Sequence, residues 1–215
     1  MRIVLVGQKR FGQEVLYMLL GAGHEVVACA CPAGGEDDKT WIGCQNKGVR
    51  VIPSGTLNAS TLPAGVDLIV AAHSHDFIGR ATRNAARYGA IGYNPSLLPL
   101  HRGRDAVRWA VKMGDRVTGG SVYWLSDTVD GGPVAAQDWC FIRPDDDALS
   151  LWIRELSPMG VRLLRDAVAA ISSGRVPYRE QDHSLATWEP SMDGAPRLYR
   201  PDLLQIGGNG LVFTE

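Results

Sequence analysis

The chain lacks a long apolar run, and nothing in it approaches the ~20 unbroken apolar residues of a membrane helix. It also lacks an excess of either charge: 22 basic side chains face 23 acidic ones, for a net charge of -1. No basic field is therefore present to hold an extended nucleic acid, although a local tRNA contact stays compatible with this balance. The opening Met1-Arg2-Ile3-Val4-Leu5-Val6-Gly7 is too short before its glycine for a signal h-region, which points to the cytoplasm and to no membrane partner. Cysteine is sparse, at Cys29, Cys31, Cys44 and Cys140, with no Cys-x-x-Cys pair. A zinc set of Cys29, Cys31, Cys44 and His24 can be written, but reduced cysteines at a strand end read as small apolar filler, so no metal is assigned.

What is present is ordinary for a globular protein, with 45% apolar and 21% charged residues. Length and composition predict one domain over residues 1–174 and an extension over 175–215 packed on its edge. The run 2–6 reads as a strand, followed by helical spacing of Val15, Leu16, Leu19 and Leu20 and a second strand over 25–30. Further on, the pattern predicts a helix near 41–47, strands over 49–52 and 67–72, a helix over 77–88 and a short strand over 90–93. A helix over 104–113, two strands over 117–125 and 133–142, and a long helix from 148 to about 172 complete the order. Asp145, Asp146 and Asp147 cap that last helix, and Pro158 should kink or divide it. The order supports an α/β fold, a Rossmann-like doubly wound mixed sheet with a short irregular C-terminal extension. Loops after Val6, Ala72, Tyr93 and Leu125 are then expected to converge on one cleft.

Three stretches could carry chemistry. Gly7-Gln8-Lys9-Arg10-Phe11-Gly12 lies at a strand-to-helix turn, where glycines let the backbone approach an anion. It is neither Gly-x-Gly-x-x-Gly nor a P-loop, so a nicotinamide dinucleotide is not expected. Ala72-His73-Ser74-His75-Asp76-Phe77 follows a strand, with two histidines at i, i+2. The most specific stretch is Tyr93-Asn94-Pro95-Ser96-Leu97-Leu98-Pro99-Leu100-His101-Arg102-Gly103, with Ser126-Asp127-Thr128-Val129-Asp130-Gly131-Gly132 at a distance. Its prolines stiffen a loop that leaves a strand end at Asn94.

This loop resembles the Ser-Leu-Leu-Pro signature of the 10-formyltetrahydrofolate-dependent formyltransferases, and Asp130-Gly131-Gly132 resembles their Asp-x-Gly loop. Gly7-Gln8 with Phe11-Gly12-Gln13-Glu14-Val15, Gly23-His24-Glu25-Val26-Val27 and Pro99-Leu100-His101-Arg102-Gly103 are similar to segments of the N-terminal hydrolase domain of 10-formyltetrahydrofolate dehydrogenase. The resemblance spans about residues 1–174. It implies formyl transfer from 10-formyltetrahydrofolate to a small amine or to water. It further implies a folate surface formed by Asp76, Phe77, Ser96, Leu97, Leu98, Leu125, Ser126, Asp127 and Val129, and an acceptor site at Gly7, Gln8, Lys9, Arg10 and Phe11. A homodimer is compatible with it.

The chain also departs from the family. Where members carry Asn-x-His before the Pro-Ser-Leu-Leu-Pro loop, this chain has Gly92 and Asn94, and only Asp130 of the trio remains. Formyl transfer passes through a tetrahedral adduct whose oxyanion needs hydrogen-bond donors and whose protons need a carrier. Asn94 can donate but cannot shuttle a proton near neutral pH. The candidate catalytic set is therefore Asp130 and Asn94, with His73 and His75 as possible replacements for the absent histidine. Two histidines and Asp130 also match a two-histidine-one-carboxylate metal set, which spacing alone does not establish. His101 reads as a surface or loop-stabilising residue, and Trp124, Trp139 and Trp152 as core packing. Two other readings are a non-catalytic or regulatory folate binder and another one-carbon or carbamoyl-type transferase.

Overall fold

Seven strands form one sheet in the order β3-β2-β1-β4-β5-β6-β7 in the computed structural model, which describes residues 1–32 and 38–192. They are β1 Arg2–Gly7, β2 Glu25–Cys31, β3 Val51–Pro53, β4 Leu68–Ala72, β5 Ala90–Asn94, β6 Val117–Trp124 and β7 Val134–Phe141. The first five are parallel, and β6 and β7 are antiparallel to their neighbours. The mixed, doubly wound α/β sheet expected from the sequence is thus the one observed.

Alternation along β1 explains the two packed faces. Ile3 and Leu5 join the core under helices α1 (Lys9–Gly21) and α6 (Ser157–Ser172), whereas Val4 and Val6 face a second cluster with Ala28, Ala30, Ile69 and Ile78. Between them the faces bury most of the large aliphatic side chains, and at ~25 cal/mol per Å² this burial is the main stabilising term. The strand order reverses between β1 and β4, so their carboxyl ends, Gly7 and Ala72, flank the crevice where such sheets hold ligands. The backbones come close there: a Cβ on Gly7 would stand 2.6 Å from the Ala72 carbonyl oxygen.

Two helices depart from the sequence expectation. The helix expected over 77–88 contracts to α3, Arg80–Ala85. Beyond it the amides of Arg87 and Tyr88 donate to the carbonyls of Val66 and Asp67, which leads the chain straight back to β4 and β5. The helix expected from 104 starts at α4, Ala106–Met113, because Asp105 sits at φ +60° and its carboxylate accepts the Met192 amide at 2.9 Å.

The long helix is divided ahead of Pro158, as expected. A short α5 (Ala148–Leu151) runs into a π-helical turn over Trp152–Leu156 and then into α6. Proline offers no N–H to the carbonyl four residues back, and a π turn absorbs that mismatch. Ser157 donates to the carbonyl of Trp152, and the Tyr93 hydroxyl donates to that of Leu156 at 2.7 Å.

The described part of the expected extension, residues 175–192, packs on the sheet edge and α4. Arg179 bridges to Val134, Arg102 pairs with the Trp188 segment, and the Trp109 indole donates to the Pro190 carbonyl at 2.8 Å. Among the described residues no helix is long and apolar enough to cross a membrane.

Candidate active site

Asn94 ends β5 and is 4% exposed, so its amide must find partners inside the protein. Its Nδ2 donates to Asp130 Oδ2 at 2.7 Å. A carboxylate only accepts, which fixes which end of the amide faces it. The Gly103 amide donates to the same oxygen at 2.6 Å, and the Tyr123 hydroxyl donates to Asp130 Oδ1. Asp130 is thus held by three donors, two from the Asn94–Gly103 stretch and one from β6. Burial, then the facing Asp130, pushes the Tyr123 phenol well above its ordinary range, so it remains a donor. Asn94 Oδ1 and Ser96 Oγ are buried with no hydrogen-bond partner among the described residues.

The Asp130 loop reaches this point by a route unlike the one expected. Because β6 is antiparallel, Leu125 leaves the sheet level with Ala90, where β5 begins, and donates its amide to the Ala90 carbonyl. The loop must fold back along the sheet for Asp130, at φ +50°, to meet Asn94 at the other end of β5. The family's missing asparagine matters here. Leu125 and Tyr123 lie over Gly92, 3.0 and 3.5 Å from where its Cβ would be.

The residues behind the loop are less visible in sequence. Gln181 donates to the carbonyls of Asp130 (2.8 Å) and Gly132 (2.6 Å) and accepts from the buried Arg102 at 2.6 Å. Arg102 stands 3.0 Å from His183 Nδ1 and lies over the Trp188 ring at 5.8 Å. Of the four residues that hold the Asp130 loop, Tyr123 and Gln181 carry no signal in sequence, and Arg102-Gly103 carries one only as part of the resembling segment.

Ser96, Leu97 and Leu98 are pinned from below. Ser121 Oγ donates to the Ser96 carbonyl at 2.7 Å and accepts the Leu98 amide at 3.1 Å, while Gln137 donates to the Leu98 carbonyl at 3.0 Å. The Leu98 side chain is a correction to the expected folate surface, because it is buried against Tyr123, Val134 and Leu125. Leu97 packs over Gly119. Phe77 and Val129 are 77% and 56% exposed, as rim residues would be.

Asp76 and Asp127 spend their carboxylates elsewhere. Asp76 accepts from Ser54 Oγ at 2.7 Å and the Gly55 amide at 2.8 Å, closing the turn after β3. Asp127 pairs with Arg80 and Arg83, whose hydrogen bonds pull its carboxyl down to about 2. Ser126 Oγ bonds within its own turn, to Thr128.

The expected acceptor turn also needs correction. Asp38 accepts the Lys9 amide at 2.7 Å, so an internal carboxylate already stands at the start of α1; the same side chain caps α2 (Lys39–Lys47). Phe11 is 2% exposed and packs against Tyr93 and Trp152, a core role. Arg10 is turned to Glu14 at 2.8 Å. Gln8 keeps extended backbone before α1 and makes no side-chain cap bond.

His73 follows β4 at φ +57°, so the pair is not extended, yet the two rings lie 6.1 Å apart. Burial, aided by Lys9 and His75, pushes His73 down to about 4, and burial with Arg104 and Lys9 lowers His75. Near neutral pH neither ring supplies an imidazolium. Among the described residues no metal-ligand cluster joins them to Asp130.

Two further expectations change. His101 is buried, not at the surface: its Nε2 meets Asp115 Oδ2 at 2.8 Å and its Nδ1 faces Glu189 Oε2 at 3.1 Å. It ties the loop after Pro99 to the end of α4 and to the C-terminal segment. Trp139 is 54% exposed and packs edge-on against Phe141 on the outer strand β7, whereas Trp124 and Trp152 are partly buried against the core.

The two histidines give opposite pH signatures. Burial alone would lower His101, but Glu189 and Asp115 outweigh it and raise the pKa. Its contribution is full below the unfolded value near ~6.5 and lost as pH rises through the folded one. His73, held down, contributes above about 6.5 and loses that contribution as pH falls toward about 4. Thermal melts against pH should therefore show the deficit of His101→Gln shrinking with rising pH, and His73→Gln blunting the acid loss of the parent.

The comparisons agree with this architecture. Residues 50–163, just over half of the chain, match the family described as Formyl transferase, and the chain belongs to that family. It is 34% identical over 201 residues to mitochondrial 10-formyltetrahydrofolate dehydrogenase of Mus musculus, covering 88% of this chain and 22% of that protein. Identity to the cytosolic 10-formyltetrahydrofolate dehydrogenase of the same organism is 35%, with the same coverage. The chain thus spans about a fifth of the length of these relatives. An N-formyltransferase of Helicobacter canadensis, solved with folinic acid and dTDP-3-aminofucose, superposes with a TM-score of 0.74 at 12% identity, over 91% of this chain and 72% of that one. That likeness shows the shared fold.

Proposed function

We propose that the chain is a folate-dependent one-carbon enzyme that moves the formyl group of 10-formyltetrahydrofolate to a small amine or to water with an altered catalytic set. The observation that carries this reading is the Asn94–Asp130 pair, locked by Gly103 and Tyr123, in the two loops that resemble those of the family's catalytic trio. The names of the 10-formyltetrahydrofolate dehydrogenases support the choice of cofactor, as does the folinic acid held by the Helicobacter canadensis enzyme. The buried, unpartnered Asn94 Oδ1 and Ser96 Oγ fit a polar ligand, since such atoms are costly to leave unpaired.

The cofactor supplies an activated formyl carbon, and the chain's residues divide the remaining work. Asn94 spends one N–H on Asp130 and keeps a second to donate to the oxyanion, while its Oδ1 can accept from the attacking amine or water. Asp130 orients that amide. Tyr123 stays protonated and His73 neutral, so no group here replaces the proton-carrying imidazolium. Slow turnover is the consequence, because general acid–base help is typically worth about 10²–10⁴-fold.

That same shortage favours a second reading, a folate binder without turnover. Following tetrahydrofolate release from 10-formyltetrahydrofolate, with and without candidate amines, separates the two. Binding without turnover under any acceptor would establish the binder. Asn94→His should raise kcat by about 10-fold or more, since its ring can face Asp130 Oδ2 while Tyr123 keeps Oδ1; no gain would point to a different reaction on this fold.

A further inference from the structure

The sequence reads its cysteines as small apolar filler, but the fold brings three of the four together. Cys29 and Cys31 point from β2 to the same face, and Cys44 comes down on them from α2. Their sulfurs all lie within 4.8 Å of one another, and each residue is 0% exposed. On the opposite face the intervening positions are Ala28 and Ala30. His24, the fourth ligand of the zinc set written from sequence, sits before β2 beside the Met1 amine, 3.4 Å away, at the other end of the strand. Among the described residues no histidine, aspartate, glutamate or fourth cysteine joins the group.

We propose that Cys29, Cys31 and Cys44 form a three-sulfur binding site for a soft monovalent ion of the Cu(I) class, distinct from the formyl-transfer site. Size comes first. Sulfurs at about 2.3 Å around a trigonal ion stand about 4 Å apart, so small side-chain rotations close the triangle. Ligand number comes second. Structural zinc takes four ligands, whereas thiolate sulfur alone suits Cu(I), and three ligands satisfy it.

On binding, the S–H bonds of Cys29, Cys31 and Cys44 break as three sulfur–copper bonds form, and the protons leave to solvent.

The reduced full chain should be equilibrated anaerobically with Cu(I) in a bicinchoninate buffer and, in a parallel arm, with Zn(II), then desalted and its metal counted. The expected result is about one copper per chain, lost in Cys44→Ala and kept in Cys140→Ala, with X-ray absorption showing a sulfur-only shell of three. Absence of retained copper would overturn the proposal, as would equal retention by Cys44→Ala. Zinc held with a nitrogen or oxygen fourth ligand would overturn it too. If Cys44→Ala fails to fold, the absorption spectrum of the parent decides alone.

Discussion

Replacing Asp130 by asparagine should lower kcat for 10-formyltetrahydrofolate turnover by about 10³-fold or more, with a much smaller change in folate KM. The substitution keeps the shape of the site. The new amide oxygen can still accept from Asn94 and Gly103, and its NH₂ can donate to the Tyr123 oxygen. What disappears is the negative charge that orients Asn94 and balances positive charge developing on an attacking amine. Thermal melting should change little, which separates lost chemistry from lost fold. An unchanged kcat in a folded Asp130→Asn variant would remove Asp130 from the mechanism.

The second large effect is on the loop itself. Gly132→Ala should lower stability by about 3 kcal/mol or more, a fall in Tm of about 6–12 °C for a chain of this size. A Cβ there would stand 1.8 Å from the Trp124 carbonyl oxygen, and that oxygen belongs to backbone that cannot rotate away. Trp124 also donates to the Pro133 carbonyl at 2.8 Å, and Gln181 donates to that of Gly132, so the clash opens the neck of the hairpin. Asp130 lies two residues away and should lose its alignment with Asn94. Activity should therefore fall together with Tm, unlike the Asp130→Asn case. A variant that melts like the parent would show that the neck of the hairpin can spread without cost.

The parallel strands were legible as short continuous apolar runs, such as Ile3-Val4-Leu5-Val6, because strands buried on both faces carry apolar residues at every position. Helix limits were less legible where tertiary hydrogen bonds compete. Nothing near Arg87 and Tyr88 signals that their amides will be taken by Val66 and Asp67. The same holds for Asp38, whose carboxylate occupies the turn that read as an anion site. His101 shows it as well, since its partners Asp115 and Glu189 come from two separate later segments of the chain.

The sequence by itself determined the α/β class, the loop from Asn94 to Gly103 with Asp130 opposite, and the absence of the family's histidine. The first is carried by composition and local periodicity, and the other two by the resemblance to the formyltransferases, residue by residue; none of them needs a distance. Only the tertiary structure decided that Tyr123 reaches across Gly92 to Asp130, that Gln181 and Arg102 hold the loop from behind, and that Cys29, Cys31 and Cys44 meet. Each of these is a contact between segments far apart in the chain. Strand register and the antiparallel turn of β6 set such contacts, and neither is written in the spacing of any one segment.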